Sequence, residues 1–248
     1  MGFRFDGVSS KEMGIPSRMS VQNRIPDLRN NTDKIAGRHG VIDFGSTVSE
    51  RKIQITCLIP PGLDEYGLLE KKDRIVEWLN PDKGLCCLEL DQEPDRFYYA
   101  RLEDGVSFEN IAYSADTFEL DFFCPDPFGY AKEDEEYLLT ASGDIRRNLG
   151  NVISHPVYEL QGEMADDTQE INFQVNGENV SVCGPLAGNE VMVIDTDDMT
   201  AVVNGRNVLG QMKNLNFPYL KTGENTVTFG EGTGTLKSIR IRAKSRWL

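Results

Sequence analysis

LCCLELDQEPDRFYYARLEDGVSFENIAYSADTFELDFFCPDPFGYA, residues 85–131, decides the architecture of the first half of the chain. Leu88 and Leu90 alternate with acidic neighbours, and residues 91–95, with Pro94 among them, read as a polar turn. Residues 97–102 form the return strand. Beyond the Asp104-Gly105 turn, Val106, Phe108 and Ile111 continue the sheet. Phe118, Leu120 and Phe122 then alternate with Thr117, Glu119 and Asp121, the period of a strand with one buried face. Pro125 and Pro127 cannot donate to a ladder, so the Cys124-Pro125-Asp126-Pro127 knuckle should end both the strand and the domain.

Upstream, residues 3–8 and 18–24 read as short strands around the Asp6-Gly7 turn and a breaker at Gly14-Ile15-Pro16. In residues 51–59, Ile53, Ile55 and Cys57 face one way and Lys52, Gln54 and Thr56 the other, until Pro60-Pro61-Gly62 stops the strand. Asp64 caps a helix over residues 64–79, with Leu68, Ile75, Val76 and Leu79 on one stripe. That single helix should cover one side of a β-sandwich. Residues 26–40 are polar and long for a connection, where about 4–6 residues is usual. They are either an interface arm or a floppy hairpin.

Downstream the chain starts afresh. Lys132-Glu-Asp-Glu-Glu136 marks a hydrophilic boundary and residues 143–151 are rich in turn formers, so residues 132–150 are expected to be a linker. Strands follow at 157–161, 171–175, 180–183, 191–195, 201–203, 226–229 and 236–243. Asn176-Gly177 and Asn204-Gly205 are hairpin signals, because both residue types tolerate the positive φ of type I′ turns. This spacing indicates a second sandwich or jelly roll. The fold class expected is thus mainly β: residues 1–131 a β-sandwich with one helix, residues 151–248 a second sandwich. The strand at 236–243 is a candidate to return to the first domain.

The motif DxxPDRxYYAxL followed by FxLxFxCPDPFxY resembles the end of the N-terminal domain of the distal tail proteins (Dit) of long-tailed bacteriophages. FRFDG near the start, GRHGVIDFGS from residue 37 and EWLNPDKG at the end of the helix agree with it, in the right order. The resemblance implies a hexameric ring domain followed by a galectin-like or carbohydrate-module-like domain. The ring would join the tail tube to the baseplate and let the genome through. It also implies that residues 26–40 are an extended hairpin clasping the neighbouring subunit, with Asn30, Asn31, Lys34, Arg38 and His39 as interface candidates. Implied partners are further copies of the chain, the major tail tube protein, the tape measure protein and a tail-associated fibre or lysin protein. The implied location is the virion tail tip, after assembly in the host bacterial cytoplasm.

The chemistry sought elsewhere is mostly missing. Five cysteines lack metal-ligand spacing, which fits buried thiols in a reduced protein. Only His39 and His155 exist, so no histidine cluster can form. Asp195-Thr-Asp-Asp198 fails as a calcium loop, with Thr200 at the glycine position and Arg206 at the bidentate glutamate, and reads as an acidic hairpin tip. No GxSxG or GxxxxGK[ST] occurs, and Gly230-Glu-Gly-Thr-Gly234 reads as a hairpin loop. Neither a cofactor nor an enzymatic activity is expected. The alternative function is a carbohydrate-binding module for the host envelope, with Phe217, Tyr219 and Trp247 as a sugar platform; a hydrolase ranks third.

Charge narrows the partners. The formal net charge is −14, which argues against stable nucleic-acid binding, since phosphate contacts rely on Lys and Arg. No apolar run is long enough for membrane insertion. Residues 1–130 hold 15 basic and 23 acidic side chains, so a ring built from them is expected to present an acidic lumen to DNA. The last twelve residues carry five basic groups and no acidic ones, which reads as a solvated strand face.

Overall fold

The computed structural model describes residues 2–22, 25–112 and 115–248. Contacts divide the chain into two units, Met1–Gly129 with Leu248, and Tyr130–Trp247. Both are built from strands, and the fold is mainly β with one α-helix among the described residues.

The first unit opens with a hairpin: β1 (Phe3–Phe5) and β2 (Val8–Ser9) flank Asp6 and Gly7, which take φ of 49° and 76°. There follow β3 (Ser17–Gln22), β4 (Leu28–Asp33), β5 (Ile42–Val48), β6 (Arg51–Ile59) and helix α1 (Glu65–Trp78). Then come β7 (Cys86–Leu90), β8 (Glu93–Leu102), β9 (Phe108–Ala112) and β10 (Ala115–Cys124). Of the strand expected at 18–24, residues 23 and 24 lie outside the described residues. The strands run in the order β2-β1-β7-β8-β10-β6-β3, with β9 also on β10. Strand β8 bridges β7 and β10 along its length: residues 97–100 pair with β7, while Arg101 and Leu102 pair with β10.

The period-two reading of β10 holds. Phe118, Leu120 and Phe122 are buried, packed on Ile53, Ile55 and Phe3 in one core. The expected turn at 91–95 is shorter than anticipated. Glu93 and Pro94 already belong to β8, and Glu93 lies opposite Leu90 while Phe97 lies opposite Glu89. Residues 94–96 therefore bulge out of the ladder, which is how a proline without an N–H is tolerated inside a strand. The buried Glu93 carboxylate accepts the Tyr98 hydroxyl at 2.6 Å. At the other end, Arg51 Nε donates to the Pro127 carbonyl at 2.7 Å, pinning the proline knuckle to β6.

Asp64 caps α1 by accepting from the Gly67 N–H at 2.8 Å, and Leu79 is the C-cap. The buried stripe differs in one member from the expected one: Ile75, Trp78 and Leu79 are buried and Leu68 packs beside them, whereas Val76 is 55% exposed. Ile75, Trp78 and Leu79 fall at steps of three and four from one another, and Val76, a position a sequence count from Leu68 also reaches, sits on the flank of that stripe. Trp78 stacks on Phe3 at 5.3 Å and donates Nε1–H to the Phe5 carbonyl at 2.9 Å. Burying Ile75, Trp78 and Leu79 contributes roughly 1.5–3 kcal/mol each. Lys72 forms an ion pair with the buried Asp116 carboxylate.

Beyond β11 (Gly129–Ala131), the second unit comprises β12 (Glu136–Leu139), β13 (Gly143–Arg147), β14 (Val157–Glu163), β15 (Glu170–Val175) and β16 (Glu178–Cys183). It continues with β17 (Val191–Asp195), β18 (Thr200–Val203), β19 (Arg206–Asn207), β20 (Gly223–Phe229), β21 (Thr235–Arg242) and β22 (Arg246–Trp247). A six-stranded sheet, β12-β21-β14-β17-β18-β19, and a four-stranded sheet, β13-β20-β15-β16, enclose a core that includes Tyr158, Phe173, Val182 and Ile241. Asn176 and Asn204 have φ of 52° and 49°, with positive φ at the glycine after each, as the hairpin signals require.

Two expectations need correcting here. Residues 132–150 are not a bare linker: β12 pairs with β21 and β13 with β20, so this segment supplies a strand to each sheet. Residues 230–234 do not close a hairpin either, because β20 and β21 belong to different sheets and the glycines carry the chain between them. A Cβ on Gly232 would come within 2.4 Å of the Glu170 carbonyl oxygen, so glycine is required by close approach. The strand expected at 236–243 is β21, paired with β12 and β14 in the second unit.

Candidate functional site

Strands β4 and β5 form a two-stranded hairpin that joins none of the larger sheets among the described residues. Its base is closed by the Ser49 N–H donating to the Asp27 carbonyl at 2.8 Å. The ladder pairs Leu28 with Val48, Asn30 with Ser46 and Asp33 with Ile42, with an irregularity between Asn30 and Thr32. At the tip, Asp33 accepts from the Lys34 N–H and the Arg38 N–H donates to the Ile35 carbonyl at 3.2 Å. Gly37 and Gly40 take φ of 80° and 83°, a region that costs glycine nothing.

The five interface candidates all lie on this arm: Asn30 and Asn31 on β4, and Lys34, Arg38 and His39 in the tip, every one exposed. Sequence reasoning, which ends the arm at residue 40, misses its apolar side chains. Ile25, Leu28, Ile35, Val41 and Phe44 are exposed, Phe44 to 66%. The alternation of Ile42, Phe44, Ser46 and Val48 along β5 is the signal that could have found them. An isolated hairpin is marginal in water, and this one buries little of its own apolar surface. Contiguous exposed apolar surface of this kind is uncommon on soluble proteins outside interaction sites.

The polar face of β6 and β10 carries the second feature. Glu109, Glu119 and Asp121 line a depression of about 410 Å³ with Thr56 and Ser107. Gln54 donates to Glu119 at 3.3 Å, and Lys52 pairs with Glu103 at 2.6 Å. Carboxylates outnumber cations across this face.

The sugar-platform candidates are dispersed in role. Phe217 packs against the second core, Tyr219 is half-buried two residues on, and Trp247 lies on β22. The segment holding Phe217 and Tyr219 is pinned by the Tyr158 hydroxyl donating to the Pro218 carbonyl at 3.1 Å. The basic C-terminal run is matched by neighbouring carboxylates: Arg242 with Glu159 at 2.9 Å, Lys244 with Asp195 at 3.0 Å, and Arg240 with Glu136 at 3.4 Å. Asp195 also accepts from the N–H groups of Asp197 and Asp198, so the acidic tip is a self-satisfied turn. Burial and the nearby Arg246 hold the His155 imidazole below its ordinary range. No group of three or more His, Cys, Asp or Glu among the described residues could hold a metal ion. No helix among them is long and apolar enough to cross a membrane.

Residues 10–124 match the family described as phage tail protein RIFT-related domain, and residues 149–247 match the siphovirus-type tail component, C-terminal domain. Between them these matches cover most of the sequence, and the chain belongs to the siphophage distal tail protein family. Among solved structures, the Dit protein of phage SPP1 aligns over 100% of this chain and 99% of its own, with TM-score 0.78 and 17% identity. That protein is described as a paradigm of the hub adsorption apparatus in phages infecting Gram-positive hosts. The baseplate of phage P2 in its activated conformation with calcium aligns over 94% of this chain and 92% of the other, with TM-score 0.45 and 10% identity. No curated protein matches by sequence.

Proposed function

We propose that this virion tail component acts as a closed hexameric ring, joining the tail tube to baseplate and fibre proteins and letting the genome pass. The observation that carries the reading is the β4–β5 arm, whose apolar residues Leu28, Ile35, Val41 and Phe44 stay about half or more exposed among the described residues. An arm on one surface and its seat on another make a head-to-tail contact, which must close into a ring or run on as a filament. The first unit forms the ring, and the second unit engages neighbouring tail proteins. The tube protein, the tape measure protein and a tail-associated fibre or lysin protein are the partners such a role requires. Assembly takes place in the host cytoplasm, and the role is structural, without an enzymatic step.

The carboxylate-rich face of β6 and β10 faces the passage in this reading. Each lumenal Lys or Arg would add a phosphate-binding site that slows the duplex. Carboxylates instead repel it over about 8 Å at physiological salt. Electron microscopy of the purified protein, or of tails containing it, tests both parts. A sixfold ring with Glu109, Glu119 and Asp121 on the inner wall is expected; monomers alone, or a lumen lined by Lys and Arg, would overturn the corresponding part.

A further inference from the structure

Two Asn-Gly pairs close two-residue hairpins of the second unit, and the asparagines are held in different ways. Asn176-Gly177 joins β15 to β16, where Val175 lies opposite Glu178; Asn204-Gly205 joins β18 to β19, where Val203 lies opposite Arg206. The φ values nearly coincide, 52° and 86° in the first turn and 49° and 77° in the second. Both glycines are exposed, and a Cβ built on either would meet no atom within 4 Å. Water therefore reaches both turns.

The side chains diverge. The half-buried Asn176 carboxamide is clamped at both ends: Nδ2 donates to Asn225 Oδ1 at 2.9 Å and to the Tyr219 carbonyl at 3.5 Å, while Oδ1 accepts the Thr226 N–H at 3.2 Å. Asn225 is buried and fixed in turn by three hydrogen bonds to Lys221 and Gly223. Asn204 is exposed, and its Nδ2 donates to Glu190 Oε1 at 2.8 Å in a solvent-exposed bond.

We propose that Asn204 is a site of spontaneous deamidation in the folded chain, and that the clamp protects Asn176 in the same dipeptide. Glycine, without a Cβ, leaves its own nitrogen unhindered. The Gly205 nitrogen gives its proton to hydroxide and attacks Asn204 Cγ. The N–Cγ bond forms, the Cγ–Nδ2 bond breaks, and Nδ2 takes a proton from water and leaves as ammonia. Water then opens the cyclic imide, at the side-chain carbonyl to give aspartate or at the main-chain carbonyl to give isoaspartate. To reach the glycine nitrogen, the Asn204 carboxamide gives up a bond that water replaces, whereas Asn176 must break three contacts together. The product sets a carboxylate against Glu190, whose Oε2 accepts the Ala187 N–H at 3.0 Å. Isoaspartate also adds a methylene to the main chain of the turn. The change falls beside β19, at the edge of the six-stranded sheet.

The test holds the full chain in mildly alkaline water enriched in heavy oxygen, then digests it in ordinary water after increasing times. The isotope marks sites converted during the incubation, and fragmentation that separates aspartate from isoaspartate reads both turns by mass spectrometry. Asn204 should convert at least about tenfold faster than Asn176, about 1.4 kcal/mol in barrier, the scale of the hydrogen bonds that must break. In denaturing urea the two rates should converge, because the dipeptide is the same. Equal rates in the folded chain, or faster conversion of Asn176, would overturn the proposal. So would a gap that persists in urea, which would assign it to the neighbours Glu178 and Arg206. An Asn204 that stays intact in the folded chain while the urea-treated chain converts would overturn it as well.

Discussion

Two hairpins in this chain have opposite fates. Strands β4 and β15 are each six residues long, and each forms an antiparallel ladder with the strand that follows. In β15–β16 the inward residues Phe173, Val175, Val180 and Val182 are buried to 1% exposure or less. In β4–β5 no residue of β4 is buried and Phe44 is 66% exposed. Ladder hydrogen bonds contribute similarly in both, so the difference lies in where apolar surface goes. In one hairpin it drives folding of the unit that owns it; in the other it is left for association.

Stability measurements on the full chain can break that contrast. Phe173→Ala, which empties the space beside the Tyr158 ring 5.6 Å away, should cost about 3–5 kcal/mol in urea unfolding. Phe44→Ala should stay within about 0.5 kcal/mol, as exposed substitutions usually do. Equal losses would mean that the arm is a folding element. Next in size is Arg147→Met. The buried guanidinium donates from Nε to the Lys221 carbonyl at 3.1 Å and also to the Val152 carbonyl. Stranding these carbonyls should cost about 2 kcal/mol, and an unchanged midpoint would show that the second unit relaxes around the loss.

A separate effect, confined to alkaline pH, is expected from two buried thiols. Burial pushes the Cys57 and Cys124 thiols up to about 12 from an ordinary 9.0. Because their folded-state values are raised, their contribution is fully present below pH 9 and is lost as pH rises toward 12. Unfolding free energy should therefore be flat with respect to these groups at neutral pH and fall above 9. Cys57→Ala together with Cys124→Ala should flatten that decline, and an unaltered slope would show that other groups set it.

How much of this could be read from the sequence follows the range of the interaction. Phe118, Leu120 and Phe122 announce β10 because alternation is local, and Asn176-Gly177 and Asn204-Gly205 announce their turns because positive φ is a property of the residues. Pro94 misleads, since a bulge whose geometry depends on β7 keeps it within β8. Val76 and Trp78 exchange places because the exact edge of a helical stripe is set by Phe3 and Phe5, more than 70 residues away. Residues 132–136 look like a charged boundary, and the strand that begins at Glu136 goes unseen because its partner, β21, lies about 100 residues downstream. The arm is half legible: its polar tip stands out by length, whereas Phe44 looks like any buried strand residue until its exposure is known.

The smallest expected effect on folding, and the largest on assembly, comes from replacing residues 30–38 by a short Gly-Ser closure. The melting temperature should barely move, because this segment buries little. Sedimentation velocity of this chain beside wild type tests the central claim most directly. A closed ring for wild type and a folded monomer for the shortened chain are the predicted result; a ring of unchanged mass and stability without the arm would contradict it.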